Sequence, residues 1–176
     1  MNTLIELFNN HDIFYAVGGS WMLKHMGLEI NPHDIDIFVH EKDIQKAINL
    51  CLEVALLQLP IASGPFLTPY FYRFHMKDTR VDLMANFGFA HEEGHYHAIF
   101  DELSIVKHIE KDGLSIPLMS LEEWFVMYEI MKREKQVKLI ETYWSKYGIE
   151  FPHLLKRQLQ LNIPIHVKTK IEELMK

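Results

Sequence analysis

The run His33-Asp34-Ile35-Asp36-Ile37-Phe38-Val39 does most to limit what this chain can fold into. Its alternation is that of a β-strand, whose successive side chains leave opposite faces. Asp34 and Asp36 therefore share one face, while Ile35, Ile37 and Val39 share the other and require a core. Two like charges on one strand face are poorly explained by packing. They are well explained by a divalent metal that carries nucleotide phosphates. Just upstream, Gly18-Gly19-Ser20 joins the apolar run Phe14-Tyr15-Ala16-Val17 to a helical stretch. A glycine turn opening a helix offers backbone amides to phosphate.

Periodicity and punctuation extend this reading along the chain. A short helix is predicted over 3–10 and a strand over 14–17. A helix follows from Ser20 to about His25, stopped by Gly27 and by Asn31-Pro32. The aspartate strand spans 34–40, and a helix runs from Glu41 to about Leu56. Residues 69–87 read as a hairpin in which Tyr70–Met76 and Arg80–Met84 flank the polar turn Lys77-Asp78-Thr79. A second strand pair flanks Lys111-Asp112-Gly113. From Ser120 the pattern is helical: Ser120 and Glu123 fit a capping box, and a second helical period ends at Gly148. Pro152 and Pro164 punctuate two further short helices. The expectation is an α+β front part over 1–118 and a helical part over 119–176, joined without a flexible linker as one compact unit.

Composition narrows the class. Hydrophobic residues make up 48% of the 176, enough for a packed core. The net charge of −6 disfavours a protein that coats nucleic acid. The start, Met1-Asn2-Thr3-Leu4-Ile5-Glu6, lacks the pattern of a signal peptide, and no run approaches the roughly 18 apolar residues of a membrane span. With Cys51 the single cysteine, and read as a buried thiol, a cytoplasmic location is expected.

Phosphoryl and nucleotidyl transfer build negative charge on a reacting phosphate, which two magnesium ions can bridge. Magnesium takes oxygen ligands, a few of them carboxylates. Asp34 and Asp36 suit that need, and Asp82, isolated within Val81-Asp82-Leu83-Met84, is the candidate third ligand and base. The order Gly18-Gly19-Ser20, thirteen residues, Asp34-Ile35-Asp36-Ile37, then Val81-Asp82-Leu83 resembles the nucleotidyltransferase superfamily of DNA polymerase beta. It is most similar to the small members, the antibiotic nucleotidyltransferases and the minimal nucleotidyltransferase antitoxins. The resemblance covers about residues 13–85 and extends loosely to about 140.

The resemblance implies a nucleotidyltransferase-like mixed sheet packed by helices. It implies transfer of a nucleoside monophosphate from a nucleoside triphosphate to a hydroxyl of a small molecule or protein. Gly18, Gly19 and Ser20 would contact the triphosphate, and Asp34, Asp36 and Asp82 would hold magnesium in a two-metal site. Lys132 and Lys135 would reach the phosphates from the basic stretch Lys132-Arg133-Glu134-Lys135. Many small members carry an arginine just before the paired aspartates. Here Glu29-Ile30-Asn31-Pro32-His33 has none. Two other readings use the same residues: a non-catalytic, antitoxin-like binding module, and a metal-dependent hydrolase.

The remaining signals read as structure. His91, His95 and His97 are expected in a polar loop feeding a strand. Trp124, Phe125, Tyr128, Trp144 and Tyr147 fall at helical spacing and are expected in the core. Tyr70, Phe71, Tyr72 and Phe74 are expected to face a helix or the partner in a homodimer or other protein complex.

Overall fold

The computed structural model of the chain describes residues 1–58, 64–77 and 79–176. Helix α1 (Asn2–Asn10) buries Leu4, Ile5 and Phe8, the residues at helical spacing. The chain then enters β1 (Tyr15–Gly18), turns directly into α2 (Gly19–His25) and returns as β2 (Asp34–Val39), antiparallel to β1. A single 3-10 turn (Glu41–Asp43) leads into α3 (Ile44–Val54), which buries Ala47, Ile48 and Cys51. Burial pushes the Cys51 thiol up to about 12. The helix ends at Val54, short of the predicted Leu56. Leu56 instead opens β3 (Leu56–Gln58), an edge strand on which it is 78% exposed.

The predicted hairpin forms as β4 (Tyr70–Met76) and β5 (Thr79–Ala85). Met76 pairs with Thr79, so Thr79 belongs to the strand and not to the turn. Lys77, at the start of that connection, has a φ of 52°, the left-handed conformation that tight hairpin turns require. The predicted turn residue Asp78 lies outside the described residues. The His91–His97 segment is no loop. It forms the hairpin β6 (Gly88–His91) and β7 (Gly94–His97), because Gly94, at a φ of 143°, lets the strands reverse. The last sheet hairpin is β8 (Ile105–Lys111) and β9 (Leu114–Met119), turning at Asp112-Gly113.

The main sheet has the order β3-β4-β5-β2-β1-β9-β8 and is mixed. Strand β2 runs parallel to β5, and β1 parallel to β9 through Val17 and Leu118. Ile35, Ile37, Phe74, Val81 and Leu83, all on the face away from Asp34 and Asp36, are buried. Four helices follow: α4 (Leu121–Ile130), α5 (Glu134–Tyr147), α6 (Pro152–Gln158) and α7 (Ile165–Leu174). The Ser120 hydroxyl accepts the Glu123 N–H at 3.2 Å and starts α4. Arg157 of α6 then reaches back: it donates to Asp101 at 2.8 Å and to the buried Glu123 at 2.5 Å. Among the described residues, no helix is long and apolar enough to cross a membrane.

Trp124, Phe125, Tyr128 and Trp144 are buried, as the helical spacing predicts. Tyr147 is not. It stands 62% exposed in the last turn of α5, where its ring meets Tyr143 and Lys146. Of the β4 aromatics, Phe74 is fully buried, whereas Tyr70, Phe71 and Tyr72 on the same strand are partly exposed.

Candidate active site

Strand register decides what faces what. Gly18 lies opposite Asp36, Asp36 opposite Asp82, and Asp82 opposite Arg73, so one row crosses β1, β2, β5 and β4. The next row holds Asp34, Arg80 and His75. The three predicted aspartates are thus on one face of the sheet. A cavity of about 720 Å³ opens over this face, and Asp34, Asp36, Asp82 and Ser20 all line it. Its far wall is built by Trp124, Tyr128 and Met131 of the α4 region and by Arg133 and Gln136. Phe38, on the aspartate face of β2, is buried under the rings of Phe87, Phe100 and Trp124, of which Phe87 and Trp124 also line the cavity.

The glycine turn fits against this row. Gly19 has a φ of 60°, and a Cβ there would run into the Asp36 carboxylate. A Cβ on Gly18 would fall on the Trp124 indole. The absence of two side chains lets the turn backbone close on Asp36 from one side and lets Trp124 pack over the turn from the other. Ser20 follows at the cavity wall.

Two arginines share the acidic face. Arg73 Nε and Nη2 each donate to an Asp82 oxygen at 2.8 Å, a bidentate fork. Arg80 pairs with Asp34, and its Nε stands 3.7 Å from Asp82. Asp36 has no ion-pair partner among the described residues. Burial, and then the charge of Asp82, push its carboxyl up to about 7 against the opposing pull of Arg73 and Arg133. The fork from Asp82 in turn raises the Arg73 guanidinium, and burial raises the Tyr128 phenol.

Among the described residues, no three carboxylate, imidazole or thiol groups stand together as a ready metal site. The donors are right in kind: three carboxylates on one sheet face form the all-oxygen set that magnesium takes. They are not gathered, because Asp34 is turned onto Arg80 and Asp82 onto Arg73.

Lys132, Arg133 and Lys135 are all exposed, and of the three Arg133 alone lines the cavity. Lys132 takes a φ of 56° where α4 ends, and the Arg133 N–H bonds back to Tyr128 O at 2.8 Å. This reversal sets Arg133 at the cavity rim and its lysine neighbours away from it. Among the lining residues that the sequence reading did not assign to the site are Arg73, Arg80, Arg133 and Gln136. For Arg80 a signal existed in the strand alternation, since it precedes Asp82 by two and shares its face.

No protein-family model and no curated protein sequence matches the chain. Solved structures do match in shape. A Thermotoga maritima protein provisionally described as a nucleotidyltransferase superposes with a TM-score of 0.62 at 19% identity, over 82% of this chain and 90% of its own. The enzyme ANT(2″)-Ia, solved with adenylyl-2″-tobramycin, gives 0.54 at 12% identity, over 81% of this chain and 86% of its own. The lincosamide antibiotic adenylyltransferase LnuA, solved with lincomycin, gives 0.52 at 16% identity, over 78% and 92%. The chain has the nucleotidyltransferase fold.

Proposed function

We propose that this chain transfers a nucleoside monophosphate from a nucleoside triphosphate to a hydroxyl of a small molecule or protein side chain and releases pyrophosphate. The observation that carries the reading is the Gly19 turn lodged against Asp36, beside a cavity of about 720 Å³, a volume suited to a nucleotide. In this reading the turn amides, the Ser20 hydroxyl and Arg133 hold the outer phosphates. Asp34, Asp36 and Asp82 would hold magnesium once Asp34 leaves Arg80 and Asp82 leaves its arginine fork. Bound magnesium would neutralise charge on the reacting phosphate and on the leaving oxygen. Asp82 accepts the proton of the acceptor hydroxyl. The adenylyltransferases among the structural neighbours, both named for or solved with antibiotics, support a small-molecule acceptor.

Calorimetry against ATP, GTP, CTP and UTP, with magnesium and with chelator, tests the first half. Binding of at least one nucleotide that is lost in chelator is expected. Pyrophosphate release with candidate hydroxyl compounds tests the second. Asp36→Asn should abolish it, and Asp82→Asn should reduce transfer more than nucleotide binding. If no nucleotide binds with magnesium, the reading fails.

Nucleotide binding without transfer is the second reading, and the arginine fork favours it, because Arg73 engages both Asp82 oxygens and leaves neither facing an acceptor hydroxyl. Persistent nucleotide binding with no pyrophosphate release across the hydroxyl compounds would select it.

A further inference from the structure

We infer that the acceptor is a hydroxyl compound bearing a carboxylate, which takes over the Arg73 fork and thereby frees Asp82. The inference rests on the nucleotidyl-transfer reading and deepens it. Arg73 already binds a carboxylate in bidentate fashion, through Nε and Nη2 at 2.8 Å. Its side chain is 29% exposed, whereas that of Asp82 is 7% exposed, so an incoming anion meets the guanidinium first. In the row Gly18, Asp36, Asp82, Arg73, the arginine is the end remote from the glycine turn. Three strand spacings of ~4.8 Å separate their backbones, about 14 Å in all. That distance sets Arg73 on the acceptor side of Asp82.

The wall beyond is apolar. The Phe71 ring lies 5.6 Å from the Arg73 guanidinium, and Phe66, Met84 and Phe87 continue the surface. An aromatic or aliphatic body attached to the carboxylate would rest there. Among the described lining residues, a polycationic acceptor finds no unpaired carboxylate away from the phosphate turn. The described lining has three aspartates and three arginines, Asp34 and Asp82 are already paired, and Asp36 adjoins the phosphate turn. With the fork taken by the acceptor, the step is balanced. The hydroxyl oxygen bonds to the α-phosphorus, the bond from that phosphorus to the pyrophosphate oxygen breaks, and the hydroxyl proton passes to Asp82.

The test is calorimetry of the full chain, with and without a non-hydrolysable ATP analogue and magnesium. The probes are mandelate, phenyllactate and hydroxyphenylacetate, each beside its methyl ester, and tobramycin. At least one acid should bind about tenfold or more tighter than its ester and than tobramycin, the scale of a charge-assisted pair. In the double variant Arg73→Met/Asp82→Asn, which leaves no carboxylate stranded, the preference for acid over ester should vanish. Arg73→Lys should retain part of it. Equal binding of acid and ester, tighter binding of tobramycin, no acid bound in either condition, or an unchanged preference in the double variant would overturn the inference. So would displacement of the acid by inorganic tripolyphosphate, which would return Arg73 to the phosphates. A lost preference with intact nucleotide binding removes the acceptor assignment alone. Failed nucleotide binding removes the transfer reading, while the acid-to-ester ratio still decides what Arg73 recognises.

Discussion

Replacing Asp36 with asparagine should stabilise the metal-free protein, and the gain should depend on pH. Asp36 is raised from an ordinary 3.8 to about 7 because it is half-buried beside Asp82 with no ion-pair partner among the described residues. At about 1.36 kcal/mol per unit, full ionisation costs the fold about 4 kcal/mol. Water reaching the half-buried group reduces this to about 2 kcal/mol. The sign follows from proton linkage. Between about pH 4 and 7 the folded state keeps the proton that the unfolded state has lost, so wild-type stability falls across that window and stays low above it. Asparagine has no such proton. In chelator at pH 8 the variant should therefore be about 2 kcal/mol more stable, or about 4–8 °C in Tm for a chain of this size. At pH 5 the gap should shrink to less than half. Saturating magnesium and nucleotide should reverse the order, since a ligand at a hundred times its Kd adds about 2.7 kcal/mol to the wild type alone. Urea and thermal unfolding measure all three. A variant less stable than wild type in chelator at pH 8, or a gap equal at both pH values, would refute the reasoning.

Gly19→Val should abolish nucleotide binding in calorimetry and lower stability by about 2 kcal/mol or more. The residue would hold a φ of 60° with its Cβ against Asp36. Arg157→Met should cost about 3–5 kcal/mol in urea unfolding, because Glu123, 2% exposed, loses its counter-charge. Adding Glu123→Gln should recover much of that loss, and failure to recover it would mean that packing, not charge, holds α6 to α4.

Most strands and helices were legible because their signals are local: alternation at Asp34–Val39, the Ser120 cap, the stop at Gly148. The aspartates were legible for the same reason, since two charges inside an apolar alternation stand out. Arg73 was not, and the cause is register. A three-residue turn at Lys77-Asp78-Thr79 would put Phe74, not Arg73, opposite Asp82. The actual Met76–Thr79 pairing moves every partner by one, which in a strand means the other face. Arg133 was passed over in favour of Lys132 and Lys135 because the choice among adjacent cations depends on one left-handed residue at the end of α4. The histidine hairpin was missed because its strands are four residues each, too short for an alternation to show, and its histidines mask the buried Phe89 and Tyr96.

The parallel pairing of β1 with β9 bears on how the protein comes into being. Val17 meets Leu118 about a hundred residues later, and the indole that fills the space over Gly18 comes later still, at Trp124. A nascent chain that has released its first ninety or so residues can hold β1, β2, β4 and β5, and with them the whole acidic row. Strand β1 would then be an open edge, and the glycine turn would be bare. Such long-range closure slows folding and leaves paired-strand edges exposed meanwhile. The chemistry-bearing strands are thus synthesised early but gain their wall only when the helical part has emerged, which makes the site a late product of folding.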